Sequence, residues 1–303
     1  MMNISRIDLA DAASPERLVL EILKHEPQLA IPVPIEELCL RLDILEIVPL
    51  TTDGYEGGLL TSADKFNGTI LFNEASPRER RRFTIAHELG HFLMPSHVPS
   101  AEGRFLCKLQ DMRALKGGES DRRLKMEVEA NRFASQLLMP PPKFRVDVAV
   151  GNDPDIRQLS AIAKKYDVSK EAAGRAYVKF REEPVAIVVT QNGKVLRDYR
   201  DSLKFPQLSV PTGAMVPAHS LLLRRKHEIG VPSEIDETDA GVWLHVERGR
   251  QAAPLFEQVL LQRQGFALIM LSREAASGDD DEADEEAEMT SAQRLKRRLY
   301  PDR

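Results

Sequence analysis

Cysteine is scarce: two in 303 residues, too few for the disulfide framework that staples small secreted folds, and in keeping with a reducing compartment. Long apolar runs are missing as well. No stretch approaches the roughly 18 uninterrupted apolar residues of a membrane span, and the opening Met1-Met2-Asn3-Ile4-Ser5-Arg6 holds no signal-peptide core. Nor does one sign of charge dominate the bulk of the chain. The net charge is −5, yet eight acids crowd into 279–288 and the tail 289–303 carries five basic residues against one acid, so residues 1–278 stand close to −1. A near-neutral body argues against a protein that coats nucleic acid by bulk charge. These absences predict a cytoplasmic protein with no membrane segment. What is present, 42% hydrophobic residues, is enough apolar material for two or three small cores.

Periodicity divides the chain without any internal repeat. Helices are predicted over 15–28, with Leu18, Val19, Ile22 and Leu23 on one stripe, and over 34–42; strands follow at 45–50, 57–62 and 69–73, with Asn67-Gly68 as a tight hairpin turn. The next helix has a clear start signal: Ser76 as N-cap, Pro77 at the first position and Glu79 completing a capping box, with Pro95 ending it after about Met94. A looser stretch, 96–120, precedes a helix over 121–139 that the run Pro140-Pro141-Pro142 stops. Two short helices are expected in 155–181 around Asp167-Val168-Ser169, with Ser169 capping the second. Beyond Pro184 the texture is β, with strands at 185–190, 194–199, 241–246, 255–263 and 266–272. The acidic run is too charged to bury anything, and 291–300 has the pattern of a surface helix.

Chemistry enters at His87-Glu88-Leu89-Gly90-His91, an HExxH motif inside the best-delimited helix. Four residues advance a helix by about 400°, so the two imidazoles stack on one side and can reach one metal ion. Zinc favours imidazole nitrogen in a tetrahedral shell and, in catalytic sites, leaves a position open for water. Glu88 lies about 100° round the helix from His87, beside the metal but off the ligand line, where a general base takes a proton from water. Phe83, Ile85, Ala86, Leu89, Phe92 and Leu93 make the segment apolar almost all round, which predicts a buried helix whose histidines need partners.

A third ligand is available on the helix that ends at Pro140. Positions 127, 130, 131, 134, 137 and 138 share one face, and all but Glu127 are Ala, Asn or Leu. Glu127 on this packed face is the ligand candidate, and Asn131, one turn on, is placed to orient a neighbouring ligand. Glu129 points about 200° away from Glu127 and is expected in solvent.

These residues carry a family resemblance. Thr84-Ile85-Ala86-His87-Glu88-Leu89-Gly90-His91-Phe92-Leu93, followed by Glu127…Ala130-Asn131…Phe133-Ala134…Leu137-Leu138-Met139-Pro140, resembles the ImmA/IrrE-type zinc metallopeptidases over roughly residues 15–180. The resemblance implies an α+β chain: a mainly helical, gluzincin-like peptidase domain with a small three-stranded sheet (1–150), a helix–turn–helix-like connector (151–182), a β-rich, GAF-like sensor domain (183–275) and an acidic linker with a basic tail (276–303). It implies zinc held by His87, His91 and Glu127, Glu88 as catalytic base, and a helix–turn–helix (XRE-type) transcriptional repressor as the substrate cut in a stress, DNA-damage or mobile-element response. Manganese in place of zinc stays open. So does the oxyanion donor, for which Tyr55 and His97 are candidates.

Other features have two readings each. Arg78, Arg80, Arg81 and Arg82 in the first turns of the metal helix oppose its macrodipole; they form either a solvated face with carboxylate partners or a docking patch for an acidic partner. Cys107 is either an ordinary thiol or a redox-sensitive, inhibitory fourth ligand to the metal, and Cys39 belongs in the core. Lys164, Lys165, Lys170, Arg175, Lys179 and Arg181 on the helix pair allow DNA contact, although a connector that helps hold the repressor is favoured. The competing functions are a non-proteolytic DNA- or partner-binding regulator with a structural zinc, and a metal-dependent hydrolase of small molecules.

Overall fold

A computed structural model describes residues 2–51, 54–99, 104–107, 122–151, 153–246 and 253–274, with backbone alone at 104, 106 and 107. The acidic run and basic tail lie outside the described residues. Contacts divide the chain into two compact units, Met1–Asn152 with Arg157–Phe180, and Asp153–Ile156 with Arg181–Arg303.

The first unit opens with α1 (Pro15–His25), whose start is set by Pro15 at the first position and by Ser14, which accepts from the Arg17 amide at 3.3 Å. Leu18, Val19 and Ile22 bury its apolar stripe. Then come α2 (Ile35–Arg41), β1 (Ile44–Leu50), β2 (Gly57–Thr61) and β3 (Gly68–Asn73). β1 runs parallel to β3, and β2 antiparallel to it. The tight turn expected at Asn67-Gly68 does not form, because Gly68 already pairs with Thr61 as the first residue of β3. The chain reverses instead through 62–67, with Lys65 at φ 51°.

The metal helix α3 (Arg78–Leu93) packs against β2 and β3 and against α4 (Arg122–Leu138). Thr84 to Phe92 are buried without interruption, so this stretch of the helix is enclosed on every side, as its apolar circumference predicts. Its start differs from the expected capping box. Pro77 occupies the N-cap with no side-chain cap, and the Ser76 hydroxyl donates to Glu56 Oε2 at 2.8 Å; a tertiary carboxylate outcompetes the local amide. Between α3 and α4, β4 (Arg104–Cys107) pairs antiparallel with β2, giving the sheet order β1-β3-β2-β4. Three of its four strands are those expected; the fourth is a short apolar run among glycines and charges that periodicity does not register.

The proline run ends α4 but also starts α5 (Pro141–Val148), with Pro141 at its first position. The helix pair is α6 (Ile156–Tyr166) and α7 (Lys170–Phe180), turned at Asp167 (φ 54°), and the Ser169 hydroxyl accepts from the Ala172 amide at 3.1 Å. Arg78 Nε meets Asp167 Oδ2 at 2.8 Å and Arg82 Nε meets it at 3.3 Å, tying α3 to this turn.

In the second unit, β5 (Val185–Gln191) and β6 (Lys194–Arg200) form a hairpin through Asn192-Gly193, both at positive φ. After the short helix α8 (Leu221–Arg224), β7 (Asp236–Thr238), β8 (Leu255–Leu261) and β9 (Phe266–Arg273) complete an antiparallel sheet in the order β6-β5-β9-β8-β7. The strand expected at 241–246 is one turn of 3-10 helix, Ala240–Val242, capped by Asp239. Its apolar character serves Trp243, which is buried with its indole N–H donating to Glu257 Oε2 at 3.1 Å. Among the described residues, no helix is long and apolar enough to cross a membrane.

One close approach positions the site. A Cβ added at Gly90 of α3 would lie 2.9 Å from Phe133 Cδ1 and 3.4 Å from Ala130 Cα on α4. Alanine raises helix propensity by about 1 kcal/mol over glycine, but overpacking a filled core costs roughly 1–3 kcal/mol. Gly90→Ala is therefore expected to lower the denaturation midpoint and weaken metal binding together, as read by urea melts and a zinc competition titration. A stabilised variant with unchanged zinc affinity contradicts this packing.

Candidate metal centre

α3 and α4 each present one buried face to the other, and the facing residues are the ones with ligand chemistry. His87 and His91 are fully buried, and Glu127 is 5% exposed. His87 Nε2 lies 3.1 Å from His91 Nε2 and 3.2 Å from Glu127 Oε2, and His91 Nε2 lies 3.5 Å from the same oxygen. A tetrahedral ion with bonds of about 2.0–2.1 Å separates its donors by roughly 3.3 Å. The triangle found here matches that spacing, and two imidazole nitrogens with one carboxylate oxygen form a borderline-soft donor set suited to a divalent transition ion. The three form a group able to hold a metal ion.

Behind the triangle, the opposite nitrogen of each imidazole is also engaged. His87 Nδ1 meets Asn131 Oδ1 at 3.0 Å. An amide oxygen only accepts, so His87 carries its proton on Nδ1 and leaves Nε2 free as a ligand. His91 Nδ1 meets His97 Nδ1 at 2.9 Å, and His97 Nε2 meets Glu129 Oε2 at 3.0 Å. Two expectations are thereby corrected. Glu129 is not merely solvated, because it receives His97. His97 is not aimed at a reacting group, because it backs a ligand from the far side. The sequence signal was faint: Pro95 stops the helix, and the His97 amide donates to the Met94 carbonyl at 3.2 Å, a turn that brings the ring back to α3.

Other neighbours complete the enclosure. Lys65 Nζ, reaching in from the β2–β3 connection, donates to the carbonyls of His91 at 2.7 Å and Met94 at 2.8 Å, satisfying the end of α3. Phe105 of β4 stacks on the His91 ring at 4.8 Å. Glu88 is fully buried beside β2, where a Cβ at Gly57 would stand 3.4 Å from its Oε1 and collide with Thr84. The strand thus needs glycine at this point to pass Thr84 and the Leu71 carbonyl next to the carboxylate. Tyr55 is half-buried just ahead of β2, and its carbonyl accepts from Asn73 Nδ2 at 3.1 Å. Cys107 sits on β4 opposite Gly57; its thiol, and with it the redox reading, lies outside the described residues. Cys39 is buried, and burial pushes its thiol above the ordinary range.

Burial controls the electrostatics. It drives His91 down to about 3 and His97 to about 4, outweighing the carboxylates beside them. On His87, burial is overcome by the hydrogen bond to Glu127 and the charges of Glu88 and Glu127, so its pKa is raised. Burial also opposes the Glu127 charge, but the imidazoles beside it, His87 above all, hold its carboxyl well below the usual range. Below pH 6.5 the unfolded chain protonates His91 and His97, whereas burial keeps both neutral in the metal-free folded chain until the pH nears 4. The unfolded state then binds about two more protons, so stability falls as pH falls. Thermal melts in chelator between pH 6.5 and 4 should show a steadily decreasing midpoint in the first unit; a flat profile contradicts neutral burial of His91 and His97.

Comparison with known proteins agrees with this geometry. Residues 47–177 match the peptidase family described as the IrrE N-terminal-like domain. The radiation response metalloprotease IrrE of Deinococcus radiodurans is 31% identical over 156 residues, which are 51% of this chain and 42% of that protein. The match thus spans about two-fifths of that relative's length. A solved structure of a Mycobacterium tuberculosis transcriptional regulator superposes with a TM-score of 0.50 at 12% identity, over 88% of this chain and 79% of that one, a likeness of fold alone. Residues 47–177, where the HExxH helix meets the helix bearing Glu127, thus match an IrrE-like metallopeptidase domain.

Proposed function

We propose that the chain is a zinc-dependent endopeptidase of the cytoplasm that cleaves an XRE-type transcriptional repressor and so relieves repression in a stress or mobile-element response. The observation that carries the peptidase reading is the buried His87–His91–Glu127 triangle with Glu88 on the next position of the same helix. His87, His91 and Glu127 hold the ion. A bound zinc supplies Lewis acidity, polarising a peptide carbonyl and acidifying water. Asn131 keeps His87 in the ligating tautomer. Glu88 takes the proton from the attacking water and delivers it to the leaving amine nitrogen. Its burial beneath β2 shields that carboxylate from bulk solvent, which strengthens its interaction with the reacting groups.

The stress-response reading is supported by the relative's description as a radiation response metalloprotease, while the repressor substrate is what the resemblance to the ImmA/IrrE-type peptidases implies. We assign 1–150 to the peptidase, 151–182 to a helix–turn–helix-like connector and 183–275 to a GAF-like sensor. DNA contact by the connector is disfavoured because several of its cations are engaged nearby. Lys165 pairs with Asp147 at 2.8 Å, Arg175 donates to the Ser135 hydroxyl at 2.8 Å, and Arg181 pairs with Glu183 at 2.6 Å. Phosphate contacts dominate DNA affinity, and these cations are poorly placed to supply them.

Incubation of the zinc-loaded chain with XRE-type repressors, with and without chelator, tests the assignment by mass spectrometry of the fragments. Glu88→Gln should reduce cleavage by at least ~10²-fold, the scale of general acid–base catalysis, with zinc retained. Equal loss of metal in that variant assigns Glu88 a structural role instead.

A further inference from the structure

We propose that His97 and Glu129 are positioning residues that lock His91 in its metal-ligating form, through the series Glu129–His97–His91. The inference rests on the metal-site reading above and deepens it. The proton positions follow from the two contacts. Glu129 offers only acceptor oxygens to His97 Nε2 at 3.0 Å, so His97 carries its proton on Nε2. His97 Nδ1 is then an acceptor, and the 2.9 Å contact requires His91 to donate from Nδ1. With its proton on Nδ1, His91 presents a bare Nε2 to His87 and Glu127.

The opposite arrangement fails at both ends. If His97 donated from Nδ1, the lone pair on its Nε2 would face the Glu129 carboxylate, and the His91 proton would stand on Nε2 inside the ligand triangle. One carboxylate on α4 therefore selects a tautomer two rings away. The same helix supplies Glu127, so ligand and orienting carboxylate are two residues apart on one rigid element. His97 is fully buried and Glu129 reaches the surface, where Lys125 Nζ lies 4.0 Å from it. His87 obtains the equivalent service from Asn131 in a single step. The two ligands of one motif thus have different supports.

The test uses the full chain and zinc alone, in competition with a chromophoric chelator, together with NMR of histidine ring nitrogens to read the His91 tautomer. His97→Leu should weaken zinc binding by about 10–100-fold, the usual cost of losing an orienting partner, and should let His91 populate both tautomers. His97→Gln retains an acceptor and a donor and should recover most of the affinity. Glu129→Ala, at a partly exposed position, should weaken zinc binding in the same direction with the fold intact, so the proposal stays testable if His97→Leu does not fold. Wild-type affinity and an unchanged His91 tautomer in both His97→Leu and Glu129→Ala overturn it. Equal losses in His97→Leu and His97→Gln also overturn it, since they signal packing rather than hydrogen bonding. His87→Ala separates the two levels: if that variant binds zinc like the wild type, the metal-site reading itself fails, whereas a zinc-deficient His87→Ala beside an unaffected His97→Leu removes the positioning role alone.

Discussion

Two helices approach closely enough at Gly90 and Ala130 for a carboxylate on one to reach two imidazoles on the other. Everything chemical in the first unit depends on that distance. A metal ion tolerates only a few tenths of an ångström in its bonds, so its ligands cannot ride on loosely packed elements. Gly90 lies between the histidines, and the residues it touches, Ala130 and Phe133, lie one turn from Glu127 or nearer to the helix end. The contact that sets the interhelical spacing and the cluster of His87, His91 and Glu127 are neighbours on the same two rods. Little movement accumulates between them.

Burial creates a problem that the surrounding shell resolves. Nine consecutive buried residues on α3 include three titratable groups, and each must be paired or neutral in a low-dielectric setting. His91 and His97 stay neutral, His87 shares the Glu127 charge, and Asn131 and Glu129 complete the hydrogen bonding behind the rings. The exposed surface takes no part until Glu129. Lys65 performs a similar task for the backbone, since the last carbonyls of α3 would otherwise lack donors inside the core. The helix pair is likewise held by charge: Asp167, at the turn between α6 and α7, accepts Arg78 and Arg82 from the start of α3. Two of the four arginines that oppose the helix macrodipole are thus matched within the unit.

What the sequence by itself determined was local and periodic. A four-residue spacing stacked His87 over His91, the apolar circumference of 83–93 required enclosure, and the 3.6-residue repeat put Glu127 and Asn131 on the packed face of α4. Each follows from a repeat that the order of residues fixes without reference to anything distant. The helix pair around Asp167 and most strands of both sheets were legible for the same reason. Tertiary structure decided what depends on meetings between remote segments. Ser76 reads as a cap until Glu56 arrives to take its hydroxyl, and Glu129 reads as solvated until His97 folds back behind His91. β4 is too short for its own pattern to show and exists through pairing with β2, while 241–246 loses its strand to the burial of Trp243. Side-chain periodicity states which way a residue faces along its own element; only packing states what stands opposite, and hydrogen bonds and metal ligands are relations between the two.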